Sequence, residues 1–290
     1  MCGLDEIYRQ ARKLGIESNI AELEAFGFTI VEPEKAAPKG LAERLLDATL
    51  SIAKSEDLSV VKLNRLAQGN RPAYGRQLFH LLLKDPVYLE GLMNPVVLTL
   101  AAYLMGVSCR LYASVAFIKE GKATPTHLHN DSSGMPPPLP ALGNVCNASW
   151  LLTDYTVENG TFFLVPGSHR YCRHPTDLEQ PKFMGGHLDD DMGVPVIGKP
   201  GSLLVFHGNM WHGTYPKTTD GVRVHVVNAF CRNYVNPAED FGDVPEEMVL
   251  KGGPRFARLI GREEWQRYRT EGPDYMLMAK VRPAQQSPYG

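Results

Sequence analysis

The chain has few cysteines, no long apolar run and no surplus of either charge, and each lack removes a class of protein. Its five cysteines, Cys2, Cys109, Cys146, Cys172 and Cys231, are odd in number, scattered and never in a CxxC pair. That pattern excludes both a disulfide framework and a structural zinc site of the usual spacing, and a reducing cytoplasmic setting is expected. No stretch approaches the roughly 20 apolar residues of a membrane span. The opening MCGLDEIYRQARKLG spreads charges where a secretory leader needs an apolar core, and the closing SPYG lacks a peroxisomal address, so neither signal is expected. Thirty Lys and Arg stand against 32 Asp and Glu, which gives no electrostatic reason to expect nucleic acid or an anionic membrane as partner. The expected partner is a small-molecule substrate, with the chain acting as a monomer or homodimer.

What is present divides into two textures. The first hundred or so residues read as helical, with apolar positions recurring every three or four residues across 4–14, 20–28 and 41–53. Further helices are expected over 72–83, 86–93 and 95–106, with prolines at the first turns of the last two. From Arg110 onward short alternating runs separated by Gly, Pro, Asn and Asp read as strands: LYASVAFIKE, NASWLLTDY, GTFFLVPGSH, GSLLVFHGN and VRVHVVNAF. Asn159 and Gly160 give a hairpin signal between two of these runs. No helical crossover separates the strands, so an antiparallel sandwich or jelly roll is expected. The reading is mainly β with flanking helices, one domain over 1–290, comprising a helical support region (1–108), a catalytic core (109–235) and a C-terminal extension (236–290) that is partly helical around 263–268.

The chemistry concentrates in a few residues. In THLHND (126–131), His129 and Asp131 are two apart, so on an extended strand they face one side and can reach one metal. His212, at the end of another expected strand, is the best third ligand. Two imidazoles and one carboxylate form a facial triad that leaves coordination positions open, as iron(II) oxygen chemistry requires. A chelating dicarboxylate then needs a cation at its far end. Arg223, which alternation places with His225 on one face of a largely apolar strand, suits that task through its planar fork, and its burial calls for an anion.

Taken together, HisAsnAsp at 129–131, the run VENGTFFLVPGSHR at 157–170, GSLLVFH at 201–207, HisGly at 212–213 and Arg223 resemble the phytanoyl-CoA dioxygenase family. The likeness extends faintly upstream and spans roughly two thirds of the chain in register. It implies a double-stranded β-helix (jelly roll, cupin-like) core with a helical N-terminal region. It also implies a dioxygenase using Fe(2+), 2-oxoglutarate and O2, with ascorbate as an accessory reductant, that yields succinate and CO2 while oxidising an unactivated C–H bond. By the same resemblance His129, Asp131 and His212 match the iron ligands. Arg223 and Thr214 match the grip on the distal carboxylate, and Trp150 matches an aromatic of the cosubstrate pocket. Asp131 favours hydroxylation over halogenation, because related halogenases lack that carboxylate.

Other readings stay open at this stage. A cupin-type metalloprotein would use His127, His129 and His169, but the glutamate its motif requires is missing at Ser133 and Gly134. A non-catalytic binding protein on the same barrel has no need of open coordination positions. Trp150 serves equally as core, and His225 as a substrate contact or a hydrogen-bonded core histidine. The proline-rich MPPPLPALG (135–143) reads as a stiff lid or wall of the pocket, and Cys146 as an oxidisable thiol near it. For substrate, a terpenoid or steroid-like metabolite, an acyl thioester and an amino-acid derivative are all considered. A CoA ester would call on Arg170, Arg173 and Lys182.

Overall fold

The computed structural model describes residues 3–56, 74–132, 134–262, 268–269, 271–276 and 289. Its N-terminal part opens with helix α1 (Gly3–Leu14), whose acidic first turn and basic last turn oppose the helix dipole. Helix α2 (Glu17–Phe26) is closed by Gly27 in the left-handed conformation. Strand β1 (Phe28–Val31), helix α3 (Pro33–Ala36), helix α4 (Leu41–Ser55), strand β2 (Arg76–Leu78) and helices α5 (Val87–Leu92) and α6 (Pro95–Met105) follow. Asn94 caps α6 by accepting from the Val96 and Val97 amides, with Pro95 in the first turn.

The sheets are built from β3 (Arg110–Glu120), β4 (Val145–Leu151), β5 (Phe162–Leu164), β6 (Val194–Pro195), β7 (Leu203–His207), β8 (His212–Thr214) and β9 (Val222–Cys231). The larger sheet runs β1-β7-β4-β9-β3-β2 and the smaller β6-β5-β8. An antiparallel bridge between His129 and His212 adds the 129 segment beside β8. This is the jelly roll expected from the strand texture. Alternation divides the larger sheet. Cys146, Ala148 and Trp150 of β4, with Val224 and Val226 of β9, join the hydrophobic core shared with the helices, while Asn147, Ser149, Arg223 and His225 line the cavity on the other face.

Three expectations change. Of the helix expected over 72–83 only a 3-10 turn at Leu81–Leu83 forms among the described residues: Arg76–Leu78 pairs instead with Ile118, Phe117 and Ala116 of β3, because that sheet edge offers backbone groups that a strand satisfies. Phe28–Val31, placed within the helical support region, pairs with β7 instead. Asn159 and Gly160 do not close a hairpin, since β4 and β5 belong to different sheets. Gly160, at φ 71, turns the crossover between them. The expected helix at 263–268 falls outside the described residues except at its last position. The described tail instead carries helix α7 (Glu246–Leu259), interrupted at Gly253. Among the described residues no helix is long and apolar enough to cross a membrane.

Candidate metal centre

His129, Asp131 and His212 converge, each offering a ligand atom within 4.8 Å of the others. The convergence is a consequence of pairing. The His129 amide donates to the His212 carbonyl at 2.9 Å and the reverse bond is 2.8 Å, so the two rings stand side by side with centroids 4.2 Å apart. Asp131 follows two residues on, its amide donating to the Gly208 carbonyl. Gly213 permits the close approach of β8, since a Cβ there would lie 2.7 Å from the Thr126 carbonyl oxygen.

Both imidazoles are oriented for ligation. His129 Nδ1 meets the His127 carbonyl at 2.7 Å and His212 Nδ1 the Met210 carbonyl at 2.9 Å, which makes each Nδ1 the donor and leaves each Nε2 lone pair free. The free nitrogens lie 3.8 Å and 3.6 Å from the Asp131 carboxylate oxygens. Burial, only partly offset by Asp131, pushes His212 down to about 4, so it is a neutral ligand at ordinary pH. Asn147 donates to Asp131 Oδ2 and steadies the carboxylate. These donors fit a divalent metal of the iron type: two nitrogens, one oxygen, and an open side facing a cavity of about 140 Å³.

The far end of that cavity is cationic. Arg223 and Lys119 are both buried, line the cavity, and are direct cross-strand partners on β9 and β3. Like charges in that register repel, and among the described residues neither makes a salt bridge. Arg223 lies over the rings of Tyr155 and Phe162 and donates through one terminal nitrogen to the Gly160 carbonyl, while its Nε is buried without a partner. Lys119 donates to Thr214 Oγ1 at 3.1 Å, and burial together with Arg223 pushes its ammonium down to about 7. The Thr126 amide also donates to Thr214 Oγ1 at 2.9 Å. Two unpaired cations and a fixed hydroxyl fit an anionic ligand end.

Beside them His225 stacks on Phe117 with centroids 4.8 Å apart, and its Nδ1 lies 2.9 Å from the Tyr155 hydroxyl. Burial holds it neutral, well below the usual histidine range. Tyr74 closes part of the mouth, edge-on to His129.

The structure thus brings His129, Asp131, His212, Thr214 and Arg223 to one cavity. Trp150 is the correction. It faces the helices and donates to the Gly91 carbonyl at 3.1 Å, because its even-numbered register on β4 belongs to the outer face. Asn147 and Ser149 take the inner positions. Cys146 shares the outer face with Trp150 and is buried, so it does not adjoin the cavity. No residue of 135–143 lines the cavity either. His127 is exposed, and His169 sits beside His207 in a separate hollow, which leaves the cupin ligand set dispersed. Lys119, Asn147, Phe162 and Tyr155 escaped the sequence reading. The signal for Lys119 was a lysine in phase with Val115 and Phe117 on one strand face.

Comparison with known proteins agrees with this architecture. A family model described as phytanoyl-CoA dioxygenase (PhyH) matches residues 25–225. Dioxygenase andF of Emericella variicolor is 30% identical over 118 residues, which cover 40% of this chain and 37% of that protein. The chain likewise spans less than two thirds of other curated relatives, 33% of dioxygenase cdmD of Talaromyces verruculosus among them. The fold is shared with EctD from S. alaskensis, solved with 2-oxoglutarate and 5-hydroxyectoine, at a TM-score of 0.59 and 19% identity, over 74% of this chain and 76% of that one.

Proposed function

Because the chain belongs to the phytanoyl-CoA dioxygenase family, we propose that it is an iron(II)- and 2-oxoglutarate-dependent dioxygenase that hydroxylates, or otherwise oxidises, an unactivated C–H bond of a small apolar organic molecule. The observation that carries the reading is one cavity with a His-His-Asp donor set at one end and the Lys119–Arg223 pair at the other. When bound, iron would activate dioxygen, the oxidant, with 2-oxoglutarate giving up two electrons: one oxygen atom would enter the substrate and the other the succinate formed as CO2 is lost.

The chain's own residues supply position and charge. His129, Asp131 and His212 would hold the metal on one side and leave the cavity side open. Arg223, Lys119 and Thr214 would hold the distal carboxylate, drawing one end of a dicarboxylate away from the metal and fixing its reach. Phe162 and Phe206 provide apolar walls that exclude water from the space between the two ends. Asn147 keeps one carboxylate oxygen of Asp131 occupied, which limits rotation of that ligand.

The apolar rings at the cavity favour a terpenoid or steroid-like metabolite as substrate. An acyl-CoA ester is disfavoured because its candidate phosphate contacts are engaged elsewhere. Arg173 is forked to Glu179, Lys182 is paired with Asp189, and Arg170 donates to the Glu24 carbonyl.

The test is an anaerobic titration of metal-free protein with iron(II) and then 2-oxoglutarate, following the visible charge-transfer band of the chelate. The band is expected in the wild type, absent in Asp131→Ala, and shifted to far higher 2-oxoglutarate in Arg223→Met. A wild type that binds iron without forming the band refutes the oxygenase reading.

A further inference from the structure

Arg173 does not line the cavity, yet its carbonyl oxygen accepts two hydrogen bonds, from Asn130 Nδ2 at 3.2 Å and from Trp211 Nε1 at 3.0 Å. Asn130 stands between His129 and Asp131, and Trp211 immediately precedes His212. One backbone oxygen therefore joins the two separate segments that carry all three candidate ligands. Asn130 and Trp211 are both buried, which limits competition from water for these bonds.

That oxygen is itself fixed. The Arg173 guanidinium lies 4.6 Å over the Trp211 ring and forks to Glu179 at 2.8 and 2.7 Å. His174, next in the chain, engages Asn130 Oδ1 at 2.9 Å and the Met135 carbonyl at 2.8 Å. Cys172, the preceding residue, holds a left-handed backbone at φ 51, and its carbonyl accepts from the Leu139 amide at 2.7 Å. A non-glycine residue keeps that conformation only where its surroundings enforce it.

The 129–131 segment is held beside β8 by the single bridge at His129 and the Asp131 amide bond to Gly208, and Asn130 is the backbone link between the two ligands. A tether on residue 130 therefore resists the motion that would carry His129 and Asp131 away from His212. The matching tether on Trp211 does the same for the third ligand. We infer that the 172–174 segment is a positioning element for the metal centre. Through the Arg173 carbonyl it fixes the pair at 129 and 131 against His212, and through His174 it fastens the proline-rich segment to the same frame. The inference rests on the metal reading given above.

The test uses cobalt(II) alone as probe, with binding and the visible ligand-field spectrum measured for the wild type, Asn130→Ala and Trp211→Phe, and melting temperature recorded for each. Trp211→Phe keeps an aromatic ring near Arg173 while removing the donor and part of the indole's buried volume, a packing loss that the melting temperature reads separately. Thr49→Val, which deletes a buried hydroxyl bonded to the Leu45 carbonyl on α4, serves as the stability control. Both tether variants are expected to bind cobalt about tenfold more weakly with an altered spectrum, while Thr49→Val loses only melting temperature. Tether variants that lose melting temperature alone, with wild-type cobalt affinity and spectrum, overturn the inference. A wild type that binds no cobalt overturns the metal reading and the inference with it.

Discussion

Replacing Lys119 with methionine removes one of the two cations facing the cavity while keeping most of the stem's volume. In the ligand-free protein, burial and the neighbouring Arg223 push this lysine down to about 7. A dicarboxylate held by both groups supplies the missing counter-charge and draws the lysine back toward its ordinary value near ~10.4, so binding above pH 7 takes up a proton. With a free-state value of about 7, the charged fraction is about half at pH 7 and about a tenth at pH 8. The affinity for 2-oxoglutarate therefore falls about fivefold across that unit and close to tenfold per unit beyond it. The effect on folding has the opposite sense. Between about 7 and ~10.4 the unfolded chain binds more protons than the ligand-free native state, so the native state gains stability as pH rises through that window. Lys119→Met loses both slopes, and at pH 6.5 it binds 2-oxoglutarate about 10- to 100-fold more weakly, the worth of a buried charge-assisted hydrogen bond of about 1.5–3 kcal/mol. The assay is the charge-transfer titration of iron-saturated protein from pH 6.5 to 8.5, with calorimetry in two buffers of different ionisation enthalpy to count the proton. A flat wild-type profile, or the same slope in Lys119→Met, refutes the reasoning.

Trp150→Phe removes the donor to the Gly91 carbonyl and leaves a void on the helical side of the larger sheet. It should lower stability by about 1–3 kcal/mol in denaturant melts with 2-oxoglutarate affinity unchanged. A weakened cosubstrate would return the indole to the cavity. Tyr74→Ala opens the mouth beside His129. It should raise the KM for the organic substrate and increase succinate formation uncoupled from substrate oxidation, with the KM for 2-oxoglutarate held. A shift in the 2-oxoglutarate KM alone would assign Tyr74 to the cosubstrate instead.

The parts legible from sequence were those where chemistry and periodicity agree. His129 and Asp131 declare themselves by a spacing of two on a strand, and Arg223 by being a charge where the alternation demands an apolar residue. Lys119 follows the same logic but stayed hidden, because which face of its strand is inward depends on its register opposite Arg223, a long-range fact. Trp150 shows the reverse error: it is one residue out of phase with the inner positions of β4, and one residue is enough to move a side chain through the sheet. Arg76–Leu78 carries no apolar alternation at all. An edge strand needs only backbone partners, and β3 supplies them. The tie from Arg173 to Asn130 and Trp211 runs through a carbonyl oxygen, an atom every residue possesses, so no sequence pattern marks it.

Strand β1 borders the larger sheet from a position near the start of the chain, and its partner β7 is made much later. At ribosomal speeds of about 5–20 residues per second, the roughly 170 residues between them take about 10–35 s to emerge. For that interval the nascent protein carries a strand whose hydrogen-bonding edge has no mate, attached to helices that are already able to form. The sheet is therefore closed on that side by pairing two segments far apart in the chain, so the β1 edge stays open until β7 has been made.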